Sequence, residues 1–418
     1  MPINESAINE SSMPIGEFAG AAAAPEQDAL MLASPMYWFH EMSHAALNPA
    51  RVFAEATRLF YRNPVNPLSL TSFGKSLAAA AEVFERATRR YAQPQWEIDS
   101  TLVDGEHVPV EIEPIWEMPF CRLLHFKRNF ARPLKHRQPK LLIVAPLSGH
   151  YPTLLRGTVE AFLPQHDVYI TEWVNAREVP LSEGRFDLDD YIDYVIAMLH
   201  RLGGAAHVIA VCQPSVPVLA AVALMEAQDD PDVPRSMTLM GGPIDARCNP
   251  TKVNKLAEAR GIDWFRHHVI TKVPFPNPGV MRDVYPGFLQ LHGFVSMNLG
   301  RHIQAHKDLF QHLVEGDGDS AQKHREFYDE YLAVMDLAAE YYLHNGRDLA
   351  KADQWITAAM EKNPKNARFG LLRAKILDKA GKRAEALKVI AEANAWATET
   401  KNSNYIQQTQ LFWDSIKK

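Results

Sequence analysis

Short apolar runs alternate with amphipathic stretches through the middle of the chain. Four of these runs have the length of buried strands, and segments with apolar residues at helical spacing lie between them. The runs are Leu141–Val144, Val168–Ile170, Val208–Val211 and Met237–Met240. Such alternation predicts an α/β fold built on a parallel, doubly wound sheet, with helices near 152–163, 188–201 and 215–227.

The segment before this series is predicted to be helical and then extended. Residues 35–92 have aromatic and aliphatic residues at roughly helical spacing, with a turn at Asn63-Pro64 and Asn66-Pro67. From residue 96 the pattern changes, and strands are expected at 108–115 and 121–126.

The segment after Pro243 is predicted to contain helices and no further strands. Long helical stretches are expected near 297–314 and 321–343. Because they follow a strand of the α/β series, they predict a helical cap over the edge of the sheet where an active site would lie.

Small residues repeat near the end of the chain. Ala352, Ile356 and Ala359 recur as Ala386, Ile390 and Ala393, at an offset of 34 residues. This is the period of tetratricopeptide repeats, which pack antiparallel helices closely. We therefore expect a tetratricopeptide-like tail of helical hairpins, for which a protein partner is possible.

These patterns divide the chain into five predicted segments. In order, they are a disordered tail (1–34), N-terminal helices (35–95), an α/β core (96–249), a helical cap (250–342) and helical hairpins (343–418).

Composition excludes several classes of function. The 44 Lys and Arg residues are outnumbered by 50 Asp and Glu, so no basic surface for nucleic acid is expected. The longest apolar run, Val216–Met225, is shorter than the ~18 residues of a membrane span. Three cysteines are too few for a disulfide framework, which favours a reducing, cytoplasmic location.

The clearest candidate for chemistry is Cys212. A buried strand runs directly into this thiol and is followed at once by a helix, which is the layout of a nucleophile elbow. Such a turn lifts the side chain above the sheet and points the next backbone N–H groups at the reacting oxygen. Ala210 and Pro214 stand where the usual motif has glycines. The alternative is a core cysteine that ends a strand.

A second candidate is the loop 145–151, which follows the first strand of the series. In hydrolases of this layout that loop supplies another oxyanion N–H, although the same residues also suit an ordinary glycine turn.

His40 and His44 fit the H-E-x-x-H zinc motif, but no third ligand follows at a suitable spacing, so no metal site is predicted.

Residues 37–342 resemble the intracellular polyhydroxyalkanoate (polyhydroxybutyrate) depolymerases. The resemblance rests on motifs that occur in the family's order. These are Trp38–Glu41, Val144–His150, Val168–Arg177, Leu188–Tyr191, Val211–Ala221, Met240–Asp245 and Asn277–Gly279.

The resemblance implies an α/β-hydrolase fold and hydrolysis of 3-hydroxybutyrate esters, in oligomers or in the polymer of storage granules. It implies a Cys–His–Asp triad with Cys212 as nucleophile. The oxyanion would be held by the N–H of Gln213 and by the loop that contains Ser148 and Gly149. No metal or organic cofactor is implied, and the location would be the cytoplasm or the granule surface.

The family's pattern is expected to stop near residue 343. The acid and the His of this fold follow later strands, yet His344 is the last histidine and the remaining residues indicate helices. We therefore expect a fusion of a depolymerase body, its sheet lacking the last two strands, to an unrelated tail. Activity should be impaired. The candidates for a substitute base are His150, His267, His268 and His292, but substitution by any of them is not the expected outcome. The alternative function is non-catalytic granule binding or scaffolding.

Overall fold

The computed structural model describes residues 26–131, 138–339 and 364–417, together with 353–354, 356–357 and 360–361. The helices are α1 Glu26–Ala46, α2 Asn48–Arg62, α3 Ser72–Thr88, α4 Arg156–Phe162, α5 Leu188–Leu202, α6 Ser215–Ala227, α7 Lys252–His268, α8 Gly287–Met297, α9 Leu299–Glu315, α10 Gly318–Tyr331, α11 Ala367–Lys379, α12 Arg383–Glu399 and α13 Ser403–Lys417. The strands are β1 Ser100–Val103, β2 Glu106–Met118, β3 Cys121–Arg128, β4 Lys140–Val144, β5 Asp167–Trp173, β6 His207–Val211, β7 Ser236–Met240, β8 Thr271–Lys272, β9 Asp283–Tyr285 and β10 Leu337–Ala338.

A seven-stranded mixed sheet forms the centre of the molecule. Its order is β1-β2-β3-β5-β4-β6-β7, in which β5, β4, β6 and β7 are parallel and the first three strands are antiparallel. The predicted α/β class is therefore confirmed. Among the described residues, β7 pairs only with β6 and forms one edge of the sheet.

Alternating side chains of the strands build two cores, one on each face of the sheet. Leu142 and Val208 pack with helices α5 and α6 on one face. Ile143 and Ile209 pack with Val159 of α4 on the other face. Because strand side chains alternate with a period of two, the apolar runs of β4, β5 and β6 correspond to strands buried on both faces. The prediction of a buried strand is wrong for Met237–Met240, because β7 lies at the edge of the described sheet and is half-buried to exposed.

The prediction that strands end at Pro243 is wrong. Strands β8, β9 and β10 form a small antiparallel sheet of their own. The helix predicted over 321–343 is also wrong after Tyr331, where α10 ends. The apolar residues that follow are extended, because distant segments supply their backbone partners: Met335 N–H bonds Gly149 O at 2.7 Å, and Ala339 N–H bonds Asp283 O at 3.0 Å.

Helices are found near both ends of the described chain, where the sequence predicts a disordered tail and helical hairpins. Helix α1 begins at Glu26, inside the segment predicted as a disordered tail. Near the other end, α11 and α12 pack closely, since a Cβ on Gly370 would lie 2.7 Å from that of Ala393. Helical packing is thus observed there. Ala352 and Ala359 of the repeat pattern lie outside the described residues.

No helix in the described part of the chain has both the length and the apolar character needed to cross a bilayer.

A buried arginine attaches the segment before β9 to the loop after β5. Arg282 is 0% exposed, and its guanidinium donates to the backbone oxygens of Val179, Pro180 and Gly184 at 2.6–2.9 Å. Its guanidinium also lies 5.0 Å from the centre of the Phe120 ring. One planar side chain therefore fixes a loop that has no regular backbone pairing.

Replacing Arg282 with Met should destabilise the protein by about 3 kcal/mol, because the buried Val179 carbonyl and two partly buried carbonyl groups lose a charged donor. Arg282→Lys should be intermediate, since one ammonium cannot reproduce the planar fork. Urea unfolding measures the change. Arg247→Met is the matched control, because Arg247 is exposed and pairs only with its neighbour Asp245. A loss for Arg282→Met no larger than for this control contradicts the assignment.

Candidate active site

Cys212 lies at a tight turn between β6 and α6. Its φ of +68° is in the left-handed region, which is rare for a residue with a side chain. Its N–H donates to Met240 O at 2.7 Å, so the pairing of β6 with β7 continues to the turn itself. Its carbonyl accepts the N–H of Ser215, at the first turn of α6, at 3.1 Å. This is the geometry of a nucleophile elbow.

The elbow leaves no space for a side chain at Gly242, just beyond β7. A Cβ there would lie 2.0 Å from Ser215 Oγ and 2.8 Å from Cys212 O. Ser215 is itself 0% exposed, so it has little room to move. A glycine after the neighbouring strand is therefore required by the shape of the turn.

The side chain of Cys212 is exposed to solvent. The alternative of a core cysteine is therefore wrong for this residue. It describes Cys121 instead, which is 0% exposed and whose thiol pKa is raised by burial. In the described part of the chain, no hydrogen bond or ion pair reaches the Cys212 sulfur. The thiol is therefore accessible to a substrate, and within residues 26–131 and 138–339 no imidazole bonds it.

The predicted oxyanion loop lies beside the elbow, and Gln213 connects them. Gln213 Oε1 accepts the backbone N–H of Leu147 at 3.2 Å. At the start of the loop, the N–H of Ala145 donates to Thr171 Oγ1 at 2.8 Å. Sequence reasoning assigned a role only to the backbone of Gln213. The contact of its side chain arises because β4 and β6 are neighbours whose carboxyl ends meet at one sheet edge.

Packing from the cap fixes the far side of this loop. Gly149 has a φ of +87°, and a Cβ on it would lie 2.8 Å from Gln290 Oε1 in α8. Its carbonyl accepts the N–H of Met335, while Ser148 is half-buried. Ser148 and Gly149 therefore lie on a loop held from both sides, and their role as oxyanion donors stays a prediction.

Three of the four candidate substitute bases have hydrogen-bond partners other than Cys212. His150 is buried, and its ring packs against the rings of Phe294 and Tyr331. Its Nε2 lies 3.2 Å from the backbone carbonyl oxygen of Tyr331. Burial lowers the pKa of His150, although that hydrogen bond raises it. The Nδ1 atoms of His267 and His268 lie 2.7 Å and 2.8 Å from backbone oxygens of their own helix. The fourth candidate, His292, is exposed on α8.

The two histidines of the H-E-x-x-H motif are packed against other groups. His40 stacks on Phe288 at 4.0 Å between ring centres, and His44 Nδ1 lies 3.4 Å from the guanidinium of Arg51. Burial and nearby Arg90 lower the pKa of both rings. Within the described residues, the group with metal-binding geometry is instead His200, Asp230 and Asp232, at the opposite edge of the sheet.

A family model described as PHB de-polymerase C-terminus matches residues 241–373, about a third of the chain. The match begins at Gly241, directly after the strand that supports the elbow. Over this part of the chain the protein is therefore similar to PHB depolymerases. No curated protein and no solved structure matched the chain.

The matched range also bears on the expected fusion. It passes residue 343, where the family pattern was expected to end, and continues to 373. The match therefore gives no support for a boundary at 343, and the fusion stays a prediction.

Replacing Gly242 with Ala should damage the elbow, because the added methyl group meets Ser215 Oγ. We expect a loss of stability of about 1–3 kcal/mol from overpacking, together with a changed rate of Cys212 modification by a soluble disulfide reagent. Urea unfolding and the thiol absorbance assay measure the two effects.

Gly293→Ala in α8 is the matched control, since a Cβ added to Gly293 would have open space around it. That variant should unfold and react like the parent. If Gly242→Ala also behaves like the parent, the close contact does not constrain the turn.

Proposed function

We propose that this protein is a poly(3-hydroxybutyrate) depolymerase-type ester hydrolase with Cys212 as nucleophile. The observation that carries the proposal is the exposed thiol held at φ +68° between β6 and α6, beside a segment that matches the depolymerase family model. The substrate class is then an uncharged polyester or its short oligomers, at a granule surface in the cytoplasm.

The architecture favours the α/β-hydrolase fold. The nucleophile follows β6, a parallel strand paired on both sides, helices cover both faces of the sheet, and a largely helical segment follows β7. These features are the ones that such enzymes use to present an elbow under a cap. The segment boundaries at 95, 249 and 342 stay part of the proposal, as does a protein partner for the tail after 342.

The reaction follows from the position of the thiol. The Cys212 thiolate attacks the ester carbonyl, and the C–O bond to the leaving alkoxide breaks, which leaves an acyl thioester on Cys212. Water then hydrolyses the thioester and restores the thiol. The oxyanion is stabilised by the Gln213 N–H at the positive end of α6 and by the loop of Ser148 and Gly149.

The proton of the thiol has to reach the leaving alkoxide, and no imidazole among the described residues bonds the sulfur for this purpose. In a serine protease triad, loss of one member lowers kcat by about 10⁴ to 10⁶. We therefore expect slow turnover. The same observation favours the second candidate, a protein that binds the polymer without hydrolysing it.

Release of 3-hydroxybutyrate from amorphous polymer tests the first candidate. Release should be measurable, slow and abolished by Cys212→Ala, because the attacking atom is removed. Cys248→Ala is the matched control, since Cys248 is also an exposed free thiol and has no proposed role. It should retain full release.

Equal release by the parent and Cys212→Ala contradicts the hydrolase proposal. If neither protein releases product but both sediment with polymer particles, the binding function is supported instead. If neither binds particles, the binding function is eliminated as well.

A further inference from the structure

Helix α2 is amphipathic, but its charged side faces the protein and its apolar side faces solvent. Arg51, Glu55, Arg58 and Arg62 share one side of the helix and line a cavity of about 590 Å³ between α2, α3 and α10. Surface helices ordinarily place their apolar stripe inward. The outward orientation of the apolar side of α2 therefore requires a physical explanation.

The inward side is held by ion pairs with other helices. Glu82 of α3 is 4% exposed and lies 2.9 Å from Arg62 and 2.6 Å from Arg325. Glu55 forms two short hydrogen bonds with Arg58, and Arg86 lies 2.5 Å from Asp329. Two polar contacts join α2 to α3: the Arg62–Glu82 pair and a hydrogen bond that Arg51 donates to Thr88 O at 3.0 Å. Turning α2 over would bury its apolar side but would separate both contacts and leave the buried Glu82 with one cation fewer.

The outward side of α2 and the turn that follows it present large apolar residues to solvent. We call this surface the apolar hairpin face; each of its members is more than half exposed. It consists of Phe53, Leu59, Phe60, Val65 and Leu70.

This face lies on a well-ordered hairpin. The turn between α2 and α3 is closed by Asn66, which accepts the N–H of Leu68, and by Thr71, which accepts the N–H of Gly74. A Cβ on Gly74 would lie 2.0 Å from Leu68 O, so the turn packs tightly on α3. The apolar side chains are therefore presented by a fixed backbone.

The face also carries no charge. Between Leu47 and Phe73 the charged residues are the four that line the cavity. Helices that bind anionic lipid surfaces need Lys or Arg available to the headgroups. Here the arginines of α2 are used in internal pairs, so the exposed surface matches an uncharged partner.

We infer that the apolar hairpin face docks this protein on the surface of an uncharged aliphatic polyester. The inference rests on the proposed function for the identity of the polymer, and it adds the surface that binds it. Methyl and methylene groups of the polyester would cover side chains that are now in water, and no ion would be desolvated in the process.

The test replaces Phe53, Leu59 and Phe60 together with Ser and measures co-sedimentation with surfactant-free particles of amorphous poly(3-hydroxybutyrate). Apparent affinity should fall at least about tenfold, because three exposed apolar anchors are removed. Hydrolysis of a soluble 3-hydroxybutyrate oligomer and the urea midpoint should not change, since none of the three lies at Cys212 or in the core.

The matched control replaces Leu102, Leu372 and Leu411 with Ser. These residues are 51%, 48% and 64% exposed but are scattered over the chain. This control should bind particles like the parent. Equal binding by the Phe53/Leu59/Phe60 variant and the parent overturns the inference.

Two further outcomes would also overturn it. One is equally strong binding of the parent to phosphatidylcholine vesicles, which would point to a lipid surface. The other is self-association that the triple variant abolishes while particle binding persists, which would show that a second copy covers the face.

Failure of the proposed function can be recognised separately. If the triple variant loses particle binding but Cys212 proves unnecessary for hydrolysis, the docking face stands and the catalytic proposal fails. If Cys212-dependent oligomer hydrolysis is found while particle binding is unchanged in the variant, only the docking inference fails.

Discussion

The left-handed backbone of Cys212 is the constraint on which the candidate site depends. A non-glycine residue in this conformation costs about 1–3 kcal/mol and persists only where surrounding contacts impose it. Here the hydrogen bond to Met240 and the close approach of Gly242 impose it. The strain places the thiol in solvent at the end of a buried strand, whereas an ordinary strand end would allow it to pack inside.

The surroundings of the elbow are organised by backbone groups from distant parts of the chain. Gln213 connects the elbow to the neighbouring loop through Leu147, and Met335 connects that loop to the region after the cap. The buried Asp336 continues this network by accepting from Tyr37 of α1 and from the N–H of Gly287. The N-terminal helix and the first helix of the cap are thus joined through one buried carboxylate, whose pKa is raised by burial, and the preceding residue bonds the 145–151 loop.

The N-terminal hairpin shows how internal electrostatics can determine what the surface presents. Ion pairs of Glu82 hold the charged side of α2 inward, and this leaves Phe53 and Phe60 in water. In the proposed function the α2–α3 hairpin binds the polymer surface and Cys212 hydrolyses its ester bonds. Binding and chemistry would then reside in different elements of the same chain.

The sequence by itself determined the strands of the parallel sheet and the helix after Cys212, because apolar periodicity is a local property. It also indicated the elbow, since strand, thiol and helix are contiguous. The strands after Pro243 and the end of α10 could not be predicted, because the partners of residues 333–339 are distant in sequence. The inward-facing arginines of α2 were equally hidden: amphipathicity identifies the two sides of a helix, and only tertiary packing decides which side meets solvent.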